Sequence, residues 1–145
     1  RKSLWGFGLC SKACQNVLRV IAGIPPADWD KRFSPAVYCK ATGVGESFTR
    51  KGLQALVRAG ILDAVTGPRG GYRFARRPAR VTLLAIIHAI DGKGVFDRCT
   101  LGLSVCGKTD PCPFHDMWVV IKGKILKTLK RKTVKDLMRE HQKHG

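Results

Sequence analysis

The chain is short of acid. Ten Asp and Glu stand against 27 Lys and Arg in 145 residues, giving a formal net charge of +17. The few carboxylates are scattered, and none pairs with another at a spacing suited to general acid–base chemistry. A nucleophile elbow and a phosphate-cradling loop are also missing, so the sequence predicts no enzyme. Long apolar runs are absent: none approaches the roughly 20 residues that a membrane-spanning helix needs. Residues 4–9 are too short and too glycine-rich for the apolar core of a signal peptide. Without a secretion signal, the six cysteines read as reduced cytoplasmic thiols and not as a disulfide framework. Repeats and low-complexity segments are lacking too. With 44% hydrophobic residues, the chain suits one globular domain, or a small domain with an oligomerisation element.

What is present is basic charge spread along the whole chain. It calls for a polyanionic partner, and no segment concentrates it beside an apolar face, so nucleic acid is expected and membrane is not. Apolar residues at helical spacing (Leu9, Ala13, Val17, Leu18, Ile21) predict a first helix that stops at Pro25-Pro26. Ser34-Pro35 supplies a cap and a first-turn proline for a short helix to about Ala41. After the break Thr42-Gly43-Val44-Gly45 comes a helix from about Glu46 to Ala59, with Phe48, Leu53, Leu56 and Val57 expected inward and Gly60 as its stop. Helix, tight turn and helix outline a helix-turn-helix. Residues 61–65 and 72–75, joined by Gly67-Pro68-Arg69-Gly70-Gly71, then predict a hairpin, which makes a wing.

Thr82 can cap a helix over residues 83–90. Residues 93–115 lack periodicity. From Asp116 a long helix carries Trp118, Ile121, Ile125 and Leu129, a stripe expected to pair two subunits. Thr133 and Asp136 form a capping signal for a last helix to about His141. The expected fold is mainly α: a winged helix-turn-helix with a two-stranded wing and a long C-terminal dimerisation helix. Its division is residues 9–92 for DNA binding, 93–115 for a cysteine-rich loop, and 116–141 for the dimerisation and last helices.

Two sets of residues carry chemistry. Ser47, Thr49, Arg50 and Lys51 open the second helix of the motif, where such proteins meet base edges, and the fork of Arg50 matches the two acceptors of guanine. Arg69, Arg73, Arg76 and Arg77 of the wing suit phosphate or minor-groove contact. The other set is Cys99, Cys106, Cys112 and His115, spaced C-x(6)-C-x(5)-C-x(2)-H. Three thiolates and an imidazole can hold an iron–sulfur cluster or a tetrahedral zinc, although the close cysteine pairs of common zinc sites are absent. Unligated thiols are the remaining alternative. Cys10 and Cys14, four apart, share a helix face and are expected to be buried, with a mutual or metal contact as the alternative. Cys39 and His88 are expected in the core, and His141 and His144 in an exposed tail.

The run from Arg50 to Leu62 (RKGLQALVRAGIL), the wing Gly67-Pro68-Arg69-Gly70-Gly71-Tyr72-Arg73 and the three-cysteine loop, in this order, resemble the Rrf2 family of bacterial winged-helix regulators, in its IscR- and NsrR-like iron–sulfur branch. The resemblance implies a homodimer on double-stranded operator DNA, with a [2Fe–2S] or [4Fe–4S] cluster on Cys99, Cys106 and Cys112. It also implies His115 as fourth ligand, because the aspartate that other members use from the first helix is matched by Gln15. This chain departs from the family at Thr66, where an arginine usually precedes Gly67-Pro68, and at Asn16, where an aromatic is common. The alternative is a nucleic-acid-binding protein stabilised by zinc that does not switch.

Overall fold

The computed structural model describes residues 10–68, 70–94 and 115–144, and leaves the side chains of His115, Trp118 and His144 undescribed. The elements run α1 (Lys12–Ala22), α2 (Pro35–Thr42), α3 (Glu46–Arg58), β1 (Leu62–Val65), β2 (Gly71–Phe74), α4 (Leu83–Asp91), α5 (His115–Arg131) and α6 (Val134–His144). The architecture is mainly helical, with one two-stranded antiparallel sheet. Among the described residues no helix is long and apolar enough to cross a membrane.

Helix α1 begins at Ser11, whose hydroxyl accepts the Cys14 N–H at 3.2 Å, satisfying one of the free donors of a helix start. Cys14, Val17, Leu18, Val20 and Ile21 are all buried, so the helix is enclosed, and α2, α3, α4 and α6 all pack against it. Asn16 is buried as well, and neither its amide nitrogen nor its oxygen has a partner among the described residues. A buried unpaired polar group costs about 1–3 kcal/mol.

Ser34 stands at the expected cap position of α2 and Pro35 in its first turn, but the Ser34 side chain makes no capping hydrogen bond. Gly43 ends the helix with φ 73°, a left-handed turn that costs glycine least. Helix α3 then lies across α1 with Gly52 at the crossing. A Cβ there would stand 2.5 Å from Val17 Cγ2 and 3.3 Å from the Ala13 carbonyl. The buried face of α3 is Thr49, Gly52, Leu53, Ala55 and Leu56. The expected inward Phe48 is 53% exposed: it shares the Ala55 edge of this face but sits in the first turn, where it lines an open cleft instead of the core.

Strands β1 and β2 pair in the register Leu62↔Phe74, Asp63↔Arg73, Ala64↔Tyr72 and Val65↔Gly71. A contact from far back in the chain adds to the wing: Phe33 and Tyr72 exchange both backbone hydrogen bonds, at 2.8 and 2.9 Å. Gly71 makes room for it, since a Cβ there would run into the Phe33 carbonyl.

Thr82 caps α4 through the Ala85 N–H at 3.1 Å. The capping signal of α6 is reciprocal: the Thr133 N–H donates to Asp136 Oδ2 at 2.9 Å, and the Asp136 N–H donates to Thr133 Oγ1 at 3.2 Å. The two helix starts are joined by the Leu83 N–H to the Lys132 carbonyl and the Val134 N–H to the Val81 carbonyl, at 2.9 and 2.8 Å. Val134 and Met138 are fully buried. The last helix, which the sequence groups with the dimerisation element, is therefore built into the core around α1.

Two outcomes follow from this packing. Gly52→Ala sets a methyl against a stiff, fully buried valine and should lower stability in urea unfolding by about 1–3 kcal/mol. The Thr133 backbone N–H holds the Asp136 carboxyl below its ordinary 3.8. A carboxyl lowered on folding stabilises the fold above its ordinary value and loses that contribution as pH falls through the lower folded value. The stability difference between wild type and Asp136→Asn should therefore hold steady near neutral pH and shrink below 3.8, as read from urea unfolding across a pH series.

Candidate nucleic-acid interface and metal centre

The start of α3 presents Ser47, Arg50 and Lys51 to solvent. Thr49 is not on this face. It is fully buried, and its hydroxyl donates to the Gly45 carbonyl at 2.7 Å, because its position follows Gly52, Leu53 and Leu56 toward the core. Arg50 Nε donates to Glu46 Oε2 at 2.6 Å, one turn back. The hydrogen bond and charge of Glu46 raise the guanidinium's pKa further, and the contact occupies one of its five N–H donors. Gln54, absent from the expected set, is exposed and donates through Nε2 to the Tyr72 hydroxyl at 2.8 Å. That bond ties α3 to the wing, and the only sequence signal for it is a polar residue one turn beyond Arg50.

Arg73 on β2 and Arg76 and Arg77 just after it are exposed, while Arg69 lies outside the described residues. Exposed Phe48 faces a cleft of about 360 Å³ that Lys12, Lys51, Arg58 and Asp91 also line. Basic side chains of α1 and α3 thus meet around the carboxylate that ends α4.

Cys99, Cys106 and Cys112 lie outside the described residues. His115 starts α5. As a donor set, three thiolates and an imidazole fit an iron–sulfur cluster or zinc. Cys39 is buried in the core as expected, and Cys10 and Cys14 are buried and free of disulfide. The latter two come together with Asp91: the two sulfurs and a carboxylate oxygen lie within 4.8 Å of one another. The Cys10 side chain next to it, and then burial, push the Cys14 thiol far above the usual range.

The stripe on α5 divides. Ile125 and Leu129, with Leu126, pack partly buried against the molecule's own core. Ile121 is exposed, in company with Met117, Val119 and Val120, and the Trp118 side chain lies outside the description. The free apolar surface of α5 is therefore its first half.

Residues 27–140 match the family model described as "Rrf2: Iron-dependent Transcriptional regulator". An HTH-type transcriptional regulator of Aquifex aeolicus is 30% identical over 107 residues, which is 72% of this chain and 74% of that one. The HTH-type transcriptional regulator IscR of Vibrio atlanticus is 26% identical over 100 residues, 69% of this chain and 57% of that one. In structure the chain resembles CymR, the global cysteine regulator of B. subtilis, with a TM-score of 0.67, 18% identity and coverage of 90% and 95% of the two chains. It also resembles T. potens IscR, with a TM-score of 0.66, 20% identity and coverage of 90% and 85%. The wing, the crossed helices and the family match over most of the chain lead to one conclusion: this protein belongs to the Rrf2 family of DNA-binding winged-helix transcription regulators, and not to an enzyme family.

Proposed function

We propose that this chain is a cytoplasmic, homodimeric regulator that binds double-stranded operator DNA and carries an iron–sulfur cluster, [2Fe–2S] or [4Fe–4S], on Cys99, Cys106, Cys112 and His115. The observation that carries this reading is the place of the donor set: it fills the connection between α4, buried against α1, and α5, whose first turn begins with His115. The bound cluster supplies sensitivity to oxidation, nitric oxide or iron supply. Once ligated, the three cysteines tie residues 93–115 to the first turn of α5.

The exposed Met117, Val119, Val120 and Ile121 supply the apolar surface that a second subunit covers, and Trp118 belongs to the same stretch. Residues 9–92 bind DNA. Ser47, Arg50 and Lys51 face the groove, with Gln54 added and Thr49 removed. Arg69, Arg73, Arg76 and Arg77 meet the backbone or the minor groove.

Anaerobic protein should show visible charge-transfer absorption together with iron and acid-labile sulfide, and loaded and cluster-free forms should differ in operator affinity by about tenfold or more. Equal affinity of the loaded, cluster-free and Cys106→Ala forms would remove the sensing role. A colourless protein with stoichiometric zinc in the loop would replace the reading by a zinc-stabilised, non-switching DNA-binding protein.

The DNA contacts separate by substitution. Arg73→Ala should weaken binding to all sequences alike and reduce the salt slope by about 0.9 for the lost phosphate contact. Arg50→Ala should instead cost about 1–3 kcal/mol of preference for the operator. Equilibrium binding measured across a salt series, on operator and scrambled duplexes, distinguishes the two.

A further inference from the structure

The chain has cysteines that the proposed cluster does not use. Cys10 and Cys14 flank the start of α1, Asp91 ends α4, and their two sulfurs and a carboxylate oxygen lie within 4.8 Å of one another. Two sulfurs on one tetrahedral zinc stand about 3.8 Å apart, given Zn–S bonds of about 2.3 Å. Side-chain rotation of an ångström or less closes the difference. From this geometry we infer a second metal site, independent of the loop, in which Cys10, Cys14 and Asp91 bind one zinc ion and leave a fourth position for water.

The carboxylate is already oriented for the task. The Ser11 backbone N–H donates to Asp91 Oδ2 at 2.7 Å and the Ser11 hydroxyl to Oδ1 at 2.5 Å. Ser11 lies between the two cysteines in sequence, so one short segment supplies both thiols and the groups that fix the third ligand. Metal-bound carboxylates are held in this manner by hydrogen bonds from their surroundings, and each oxygen keeps a lone pair for the ion.

Charge favours the site too. Two thiolates and a carboxylate around a divalent ion leave one net negative charge. That charge sits beside the positive end of α1 and a cleft lined by Lys12, Lys51 and Arg58. The cleft, about 360 Å³, opens onto Asp91 and gives the ion and its water a path from solvent. Binding exchanges two thiol protons for the metal and releases them to solvent, with no change of oxidation state. The occupied site pins the start of α1 to the end of α4. Because Lys51 of α3 lines the same cleft, the ion sits directly behind the DNA-reading face.

The test uses the full chain with Cys99, Cys106 and Cys112 all replaced by serine, so that failure of the cluster reading and failure of this one are separate results. Titrated with Co²⁺ under reducing conditions, this protein should take up one equivalent, with sulfur-to-cobalt charge-transfer absorption that Zn²⁺ abolishes. Zinc at a hundredfold above its Kd should raise the melting temperature by roughly 10 °C. Asp91→Asn, which keeps the shape of the side chain, should weaken binding about tenfold or more, and Cys10→Ser should abolish the charge-transfer band. Absence of that band in the loop-serine protein overturns the site. So does cobalt binding of unchanged affinity in both Asp91→Asn and Cys10→Ser. Circular dichroism of each variant shows whether it is folded, and if Cys10→Ser is not, Asp91→Asn alone decides.

Discussion

The crossing of α3 over α1 is the contact on which the rest of the molecule depends. Gly52 lets the two helix backbones approach until Val17 and the Ala13 carbonyl fill the space where a side chain would stand. That closeness seats Leu53 and Leu56 in the core and turns Ser47, Arg50 and Lys51 outward together. Interiors this dense do not deform smoothly, so α3 follows α1 as a rigid unit. Because α2, α4 and α6 also pack on α1, a shift in any one of them acts on α3 through this helix.

The strongest local rules were legible in the sequence. Pro35 in the first turn of α2, the glycines of the wing, Thr82 at α4 and the Thr133–Asp136 pair each set their element by short-range chemistry, and each stands where that chemistry puts it. The misplacements lie in the first turn of α3. Phe48 looks like core and Thr49 like surface, yet Thr49 can be buried because its hydroxyl satisfies itself on the Gly45 carbonyl, leaving no polar atom unpaired. Long-range neighbours carried no signal at all. Phe33 pairs with Tyr72 across the molecule, and Ser11 holds an aspartate 80 residues away.

The basic charge is spread, but the structure gives it direction. On α3 it is moderated by Glu46 beside Arg50, an exposed pair that costs little to open. On the wing the exposed Arg73, Arg76 and Arg77 make no side-chain ion pair among the described residues, which leaves their charge available to an anionic partner. Gln54 joins the two regions through Tyr72, so α3 and the wing are tied into one surface.

The hydrogen bonds that join Leu83 to Lys132 and Val134 to Val81 give α5 a fulcrum. Its C-terminal end is clamped between two helix starts anchored in the core, while its first half projects with its apolar residues uncovered. A helix of 17 residues is about 25 Å long, and a tilt of about 5° at the clamped end moves the other by about 2 Å. His115 begins that helix, at the end of the lever farthest from the clamp.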